Sequence, residues 1–276
     1  MSVEEITKLL SELVEIPSIS SDKAHREDVD SSAQYVENLF AGLGLNTQII
    51  KVAGGKPAVI AQTQIDPSRK TILLYAHHDV QPVGDIALWD TEPFKPVIKD
   101  GRLFGRGSGD NKAGVVVHYF VVKQLLENLP VNIKVFIEGE EEIGSPTMNT
   151  FIEQNREALE ADVIVIADSG NVKIGVPTIT TSLRGLVDAI IEVDQPMRPI
   201  HSGVGGGIVP DAFMILSRII TSFHNDQGEL QIEGLTSTDM NVLELEESFM
   251  KKMLGSESID LFKTESISKR LWLEPA

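Results

Sequence analysis

Two residues with metal-binding side chains, His77 and Asp79, follow a short apolar segment at residues 71–75. An apolar segment bounded by turn residues predicts a buried strand of a mainly parallel sheet, and reactive groups collect where such strands end. Residues at i and i+2 of an extended chain point to the same side, so the Asp79 carboxylate can orient the His77 imidazole toward a metal ion. A strand-end histidine beside an ordinary turn aspartate is the alternative, and this pair alone does not decide between them.

A glycine-rich loop, residues 105–109, is followed by Asp110 and by an apolar segment at residues 113–128 that is predicted to be helical. Its glycines allow backbone conformations that are closed to other residues, and the helix N-terminus offers unpaired N–H groups. Asp110 is therefore expected to lie in a shaped loop. A phosphate-binding loop is the competing interpretation, but the glycine spacing does not fit, and Lys112 is not followed by a hydroxyl residue.

Acidic residues also follow the predicted buried strands at residues 131–137 and 162–167. Glu141 and Glu142 belong to an acidic run after the first of these strands, and Asp168 closes the second. An acidic run is usually a solvated turn, and a lone aspartate after a strand is often a turn or cap residue. Taken together, however, the successive His/Asp, Asp, Glu/Glu and Asp positions form a set that hard divalent cations favour. The sequence predicts a hydrolase site with two cations.

The elements that must position these groups alternate between strand and helix. The N-terminal helix is predicted to begin at a capping box formed by Ser2 and Glu5. Apolar periodicity predicts further helices at residues 28–43 and 146–159, and further strands at residues 47–52 and 58–62. This alternation indicates an α/β fold with a mainly parallel sheet flanked by helices.

A second, smaller domain is expected to begin after residues 181–185. Residues 186–193 are predicted to form a strand, and residues 210–224 and 240–254 are predicted to form amphipathic helices. We therefore expect a metal-binding catalytic domain over residues 1–183 and part of a smaller α+β domain over residues 184–276.

The composition excludes several classes of function. The formal charge of −17, from 24 Lys and Arg against 41 Asp and Glu, argues against nucleic-acid or anionic membrane partners. The absence of cysteine excludes disulfides, a cysteine nucleophile and cysteine-ligated zinc. The N-terminus lacks the pattern of a secretory signal, and no apolar run approaches membrane-spanning length. We expect a soluble, cytoplasmic protein.

Taken together, the motifs resemble the M20 family of metallopeptidases, and in particular its carnosinase-like dipeptidase branch. The resemblance covers nearly the whole chain in order. The motifs that carry it are His77-x-Asp79 within the stretch 75–82, the segment 110–114, Glu141-Glu142-x-Gly144-Ser145, Asp168, and His201-Ser202-Gly203-Val204.

The resemblance implies a zinc-peptidase-like catalytic domain, a lid domain and a role for each motif residue. It implies a first metal ion bound by His77 and Asp168, a second bound by Glu142, and Asp110 as the ligand that bridges them. Asp79 is then the carboxylate that orients His77, Glu141 is the general base, and the peptide bond between Asp110 and Asn111 is cis. A site of histidine and carboxylate ligands fits zinc best, with manganese or cobalt as alternatives.

His201 resembles a histidine of the family's lid domain that stabilises the transition state, often in the active site of the partner subunit. Homodimerisation through the lid is a further implication of the resemblance. The plain alternative for His201 is a loop histidine beside a glycine-rich turn.

The implied reaction is hydrolysis of the peptide bond in dipeptides or short peptides. Two cations about 3.5–4 Å apart would share Asp110 and a water, lower the pKa of that water and polarise the scissile carbonyl. Glu141 would take the proton of the water and pass it to the leaving amine. The alternative substrate is an N-acyl amino acid, cleaved by an amidohydrolase of the deacylase or desuccinylase type.

The sequence departs from the family pattern at its C-terminus. Family members return from the lid to the catalytic domain and supply a further histidine for the second metal ion, whereas no histidine follows His224 here. We therefore expect a C-terminally truncated chain in which the second metal ion retains Asp110 and Glu142 as protein ligands. A catalytically incomplete chain that acts as a binding or dimer-forming module is the second hypothesis for its function.

Overall fold

The computed structural model describes residues 2–171, 175–180, 183, 186, 188–193, 200–227 and 230–234. The chain divides into two units, Met1–Ser169 and Gly170–Ala276. The domain boundary predicted between residues 183 and 184 lies further along the chain and stays a prediction. The first unit contains every predicted site residue except His201, so it is the unit that positions the candidate metal ligands.

Two helices precede the sheet. Helix α1 (Val3–Val14) begins at the predicted capping box, in which Ser2 Oγ accepts a hydrogen bond from Glu5 N and the Glu5 carboxylate accepts one from Ser2 N. These bonds satisfy N–H groups that a helix start otherwise leaves unpaired. A 3₁₀ turn at Lys23–His25 leads into α2 (Arg26–Gly42).

The described residues form seven strands, of which five make one central sheet in the order β1-β2-β6-β3-β7. The strands are β1 (Asn46–Ile50), β2 (Ala58–Gln62), β3 (Thr71–His77), β4 (Val97–Lys99), β5 (Arg102–Phe104), β6 (Asn132–Glu138) and β7 (Val163–Ile166). β3 pairs in parallel with both β6 and β7, whereas β2 pairs antiparallel with β1 and β6. The predicted α/β class is confirmed, and the sheet is mixed rather than mainly parallel.

Helices cover both faces of the central sheet. α3 (Lys112–Leu125) packs with α1 and α2 on one face, in a core that includes Leu74 and Val135. α4 (Met148–Gln154) covers the other face, where Phe151 packs against Phe136. The helix predicted at residues 146–159 is divided at Asn155, after which α5 (Arg156–Leu159) begins. The apolar character of the central strands follows from this burial on two faces.

Strand β7 differs from the prediction of a buried strand. Its four apolar side chains are between 43% and 58% exposed. It lies at the edge of the sheet and pairs with β3, so its outer edge is not paired within the described residues. The prediction of burial was wrong because a short apolar run does not distinguish a central strand from an edge strand.

In the second unit, the described residues form α6 (Ser202–Gly205) and α7 (Ala212–Thr221). The helix predicted at residues 210–224 is confirmed as α7, which Asp211 caps through its carboxylate. The strand predicted at residues 186–193 is not formed by its described residues, 186 and 188–193. The side chains of Leu186 and Ile190 are exposed, and an apolar segment forms a stable strand only where it pairs with a partner.

The helix predicted at residues 240–254 lies outside the described residues. None of the helices in the described part of the chain combines the length and the apolar character that crossing a bilayer requires.

Candidate metal centre

His77 is the last residue of β3 and is fully buried at the carboxyl end of the sheet. Its Nδ1 faces Asp79, 3.1 Å from the backbone oxygen and 3.3 Å from Oδ1. Its Nε2 lies 3.0 Å from Asp110 Oδ1. Because Asp79 holds Nδ1, Nε2 is the nitrogen of His77 that can bind a metal ion.

The carboxylate of Asp79 is fully buried and does more than orient the imidazole. Oδ1 accepts a hydrogen bond from Glu141 N at 3.3 Å, and Oδ2 accepts one from Glu142 N at 3.1 Å. Burial by itself would raise the pKa of Asp79, but the hydrogen bond and positive charge of His77 hold it below its usual value. Asp79 therefore fixes His77 and the glutamate turn relative to each other, a contact that sequence spacing could not reveal.

Three residues from distant parts of the chain converge on one point. One ligand atom from each of His77, Asp110 and Asp168 lies within 4.8 Å of the other two. His77 Nε2 is 3.0 Å from Asp110 Oδ1 and 3.7 Å from Asp168 Oδ2. Two ligands that each lie about 2.1 Å from a tetrahedral zinc ion are about 3.4 Å apart. The imidazole and the two carboxylates therefore fit a divalent cation in both donor type and spacing.

The charges at this point favour a protonated His77 in the absence of a cation. Burial by itself lowers the pKa of His77, but Asp79, Asp168 and Glu141 outweigh burial and raise it to about 9. A cation at Nε2 would therefore replace a proton.

Asp110 lies at the end of the glycine-rich loop, and its side chain is 72% exposed. The Asp110–Asn111 peptide bond is cis, as the family resemblance implies. Lys112 follows but is fully buried, and its Nζ donates to the backbone oxygens of Leu13 and Ile16 at the end of α1. Because the ammonium is already hydrogen-bonded at the end of α1, it is not placed to bind a phosphate, which argues against the alternative of a phosphate-binding loop.

The glutamates at residues 138–142 divide into two pairs. Glu138 and Glu140 are buried, which the alternative of a wholly solvated turn did not anticipate. Glu138 accepts a hydrogen bond from Tyr75 Oη at 2.6 Å, and Glu140 accepts from the backbone N–H of Lys56 and of Thr147. These contacts anchor the turn that presents the other two glutamates.

Glu141 and Glu142 form that turn and are only partly buried. Glu141 Oε2 lies 3.7 Å from His77 Nε2, and partial burial raises the pKa of both glutamates. Gln81 Nε2 donates to Glu142 Oε2 and to the Glu142 backbone oxygen, both at 2.9 Å. Glu142 is not part of the three-residue cluster found among the described residues. Its metal-binding role stays a prediction.

Two residues that contact the predicted ligands were missed by sequence reasoning. Gln81 continues the alternation of His77 and Asp79 along the chain, and that signal could have identified it. Asn111 follows Asp110 directly, and its Nδ2 donates to Asp168 Oδ1 at 2.7 Å. The sequence offered no comparable signal for this contact.

His201 lies in the second unit, immediately before α6, and is exposed. Its Nδ1 accepts a hydrogen bond from Gly203 N at 3.1 Å. In a neutral imidazole the other nitrogen then carries the proton, so Nε2 can act as a donor. Its role in stabilising a transition state stays a prediction.

Comparisons with known proteins agree with the sequence motifs. The profile described as peptidase family M20/M25/M40 matches residues 73–264. The chain is 37% identical over 238 residues to a cysteinylglycine-S-conjugate dipeptidase of Corynebacterium striatum, covering 85% of this chain and 52% of that protein. Thus, the chain spans about half the length of the curated relatives it matches.

Two solved structures share the fold over most of this chain. An M20 family metallo-carboxypeptidase from Sulfolobus solfataricus superposes with a TM-score of 0.68 at 28% identity, covering 90% of this chain and 59% of that one. Human carnosine dipeptidase 1 gives a TM-score of 0.67 at 26% identity, covering 95% and 60% of the two chains. The resemblance predicted from the motifs is confirmed, and the chain belongs to the peptidase family M20/M25/M40.

Proposed function

We propose that this chain forms the metal-binding part of a peptidase that hydrolyses the peptide bond of dipeptides or short peptides. The observation that carries the proposal is the convergence of His77, Asp110 and Asp168 at the carboxyl end of the sheet. The dipeptidase names of several relatives, including a cysteinylglycine-S-conjugate dipeptidase, support a short substrate.

The proposed site holds two divalent cations, zinc by preference. His77 and Asp168 would hold the first, Glu142 would hold the second, and Asp110 would contribute to both. When bound, divalent cations supply polarisation of the scissile carbonyl and activation of a water molecule. The side-chain types support this assignment, since imidazole and carboxylate ligands suit zinc and, as alternatives, manganese and cobalt.

Glu141 is the general base of the proposed reaction. Its carboxylate takes a proton from the attacking water and then delivers that proton to the nitrogen of the leaving amine. Partial burial raises its pKa, which makes it a better proton acceptor than an exposed carboxylate. Asp79 supports this step through its hydrogen bond from Glu141 N.

His201 is the proposed donor to the oxyanion that forms when water adds to the carbonyl. Its Nδ1 is held by Gly203 N, which leaves Nε2 as the protonated nitrogen of a neutral ring. A donor aimed at developing negative charge stabilises the transition state more than the ground state. The homodimer that we propose through the second unit would bring this histidine to the site of the partner subunit.

A cation titration of the purified chain tests the proposal. We expect calorimetry with zinc, manganese and cobalt to detect binding. We expect His77→Ala to lower cation affinity by more than about 100-fold, because replacing a residue that only hydrogen-bonds to a ligand already lowers metal affinity by about 10–100-fold. Two tight sites would favour the peptidase, and one weak site would favour a binding module. The absence of cation binding by the unaltered chain would overturn the proposal.

Substrate class is tested separately. The metal-loaded protein should release free amino acids from Cys-Gly or β-Ala-His, measured by an amine-reactive reagent, and should leave N-acetyl amino acids intact. Cleavage of the N-acyl substrates alone would replace the dipeptidase assignment with the amidohydrolase one.

A further inference from the structure

The side chain of Asn111 contacts two strand ends. Its Nδ2 donates to the backbone oxygen of Ala167 at 2.6 Å and to Asp168 Oδ1 at 2.7 Å, both just after β7. Its Oδ1 accepts a hydrogen bond from the backbone N–H of His77, at the end of β3, at 3.3 Å. Asn111 is only 2% exposed, so these partners replace water at every polar atom of the amide.

Each member of the three-residue cluster is therefore attached to Asn111. Asp110 is attached through the peptide bond, His77 through its backbone N–H, and Asp168 through one carboxylate oxygen. We propose that Asn111 is a positioning residue that fixes the three ligands relative to one another. This inference rests on the proposed metal-binding function and adds to it a residue that does not itself contact the cation.

The hydrogen bond to Asp168 also gives the two oxygens of that carboxylate different surroundings. Oδ1 is occupied by Asn111, and Oδ2 is the oxygen that faces His77 Nε2, at 3.7 Å. Asn111 thereby leaves Oδ2 as the oxygen available to a cation, and it favours binding of that cation by Asp168 through a single oxygen. The reversed amide would place its oxygen against the Ala167 carbonyl and the Asp168 carboxylate, so the contacts also fix the orientation of the amide.

The neighbouring backbone is shaped to admit this side chain. A Cβ atom at Gly114, in the first turn of α3, would lie 2.3 Å from Asn111 Oδ1 and 2.3 Å from the Ala167 oxygen. Any other residue at position 114 would therefore displace the amide or separate α3 from the end of β7. The requirement for glycine here is steric and follows from the contacts of Asn111.

A second buried asparagine provides a matched control. Asn132, also 2% exposed, begins β6 at the opposite end of the same sheet. Its Nδ2 donates to the backbone oxygens of Asp66 and Arg69, and its Oδ1 accepts from Asp66 N. Like Asn111, it donates to backbone oxygen and accepts from a backbone N–H, but its side-chain partner is the Thr71 hydroxyl at 3.2 Å and not a candidate ligand. Replacing Asn132 measures the structural cost of losing such a residue.

The experiment compares Asn111→Leu with Asn132→Leu, since leucine keeps the branched shape and the number of side-chain heavy atoms of asparagine and removes its hydrogen bonds. Zinc affinity is measured by competition with a chromophoric chelator, and thermal unfolding of the metal-free proteins is measured in parallel. We expect both variants to lower the melting temperature, and Asn111→Leu alone to weaken zinc binding by about 10–100-fold. Unchanged affinity in Asn111→Leu, or an equal loss in Asn132→Leu, would overturn the inference.

Gly114→Ala provides a second test that removes no polar group. It should weaken zinc binding by displacing the Asn111 amide, and the cobalt-loaded variant should show an altered visible absorption spectrum because Asp168 is free to use both oxygens. A spectrum and affinity identical to those of the unaltered protein would contradict the inference. Failure of the unaltered chain to bind zinc would instead contradict the proposed function, so the two outcomes are distinguishable.

Discussion

The two ends of the central sheet both contain a buried asparagine, but they differ in what it holds. At the carboxyl end of β3, Asn111 holds His77 and the carboxylate of Asp168, whose other oxygen faces the cluster. At the opposite end, Asn132 holds backbone groups of residues 66–69. The Asp66 carboxylate there is already engaged by the Ser68 N–H and by Arg69 at 3.2 Å. The first end keeps ligand atoms available, whereas the second uses its polar groups to stabilise a turn.

A cavity is found at the end of the sheet that lacks the candidate ligands. A cavity of about 500 Å³ lies at the opposite end, lined by residues that include Thr63, Arg69, Glu127 and Leu129. The converging imidazole and carboxylates lie at the carboxyl end. Metal-assisted hydrolysis depends on ligand atoms that share one point, so convergence of ligands is the better guide to the site. A cavity at the surface of this fold therefore does not by itself mark the position of its chemistry.

The largest difference between the two ends is expected when one glutamate at each end is replaced. Glu141→Gln should lower kcat for a dipeptide by about 10²- to 10⁴-fold, because an amide cannot accept the proton of the attacking water. Glu127→Gln, at the opposite cavity, should leave kcat unchanged. Steady-state hydrolysis assays compare the two, with zinc affinity measured in parallel to show that Glu141→Gln still binds the cation. Equal rates in the two variants would remove the functional distinction between the ends of the sheet.

Strands β3 and β6 could be predicted from the sequence because each is an apolar run that is followed directly by residues with metal-binding or acidic side chains. Apolar runs marked β3 and β6, and the residues that follow them include His77 and Glu141. The β4–β5 hairpin was not predicted, although Asp100 and Gly101 at its turn both have positive φ. An Asp-Gly pair is a strong hairpin signal, so this element was within reach of sequence reasoning.

Other features depend on contacts between residues that are far apart in the chain. The Asn111–Asp168 hydrogen bond joins positions 57 residues apart, and no local pattern encodes it. Lys112 is fully buried against α1, whereas lysine is ordinarily exposed, so composition predicts the opposite of what is found. Burial of this ammonium lowers its pKa to about 7. Such features follow from tertiary packing, which the sequence expresses only through the complete fold.

An intermediate effect is expected from pH, through His77. Its pKa in the folded, metal-free protein is about 9, compared with 6.5 for the free side chain. Its contribution to the stability of the metal-free fold is therefore complete below pH 6.5 and is lost as pH rises through about 9. Cation affinity has the opposite dependence, since cation and proton compete for Nε2. It should rise with pH toward 9 by up to about tenfold per unit.

Calorimetry in buffers of different ionisation enthalpy measures this competition as the number of protons released on zinc binding. We expect release of a proton near pH 7.5, where His77 is still protonated before the cation binds. The opposite end of the sheet supplies a control, because Arg69→Ala should not alter proton release or its pH dependence. Zinc affinity that stays constant between pH 6.5 and pH 8.5 would show that His77 is not a ligand.

The smallest effect is expected from the glutamines. Gln81 donates to the side chain and to the backbone of Glu142 from an exposed position, so Gln81→Ala should weaken the second cation site by a few-fold, less than the loss of a buried partner. Gln64→Ala, which lies at the opposite cavity, should have no effect on cation binding. A zinc titration that resolves the two sites tests both variants. If Gln81→Ala reduced affinity at the first site instead, Glu142 would belong with His77 rather than with a second cation.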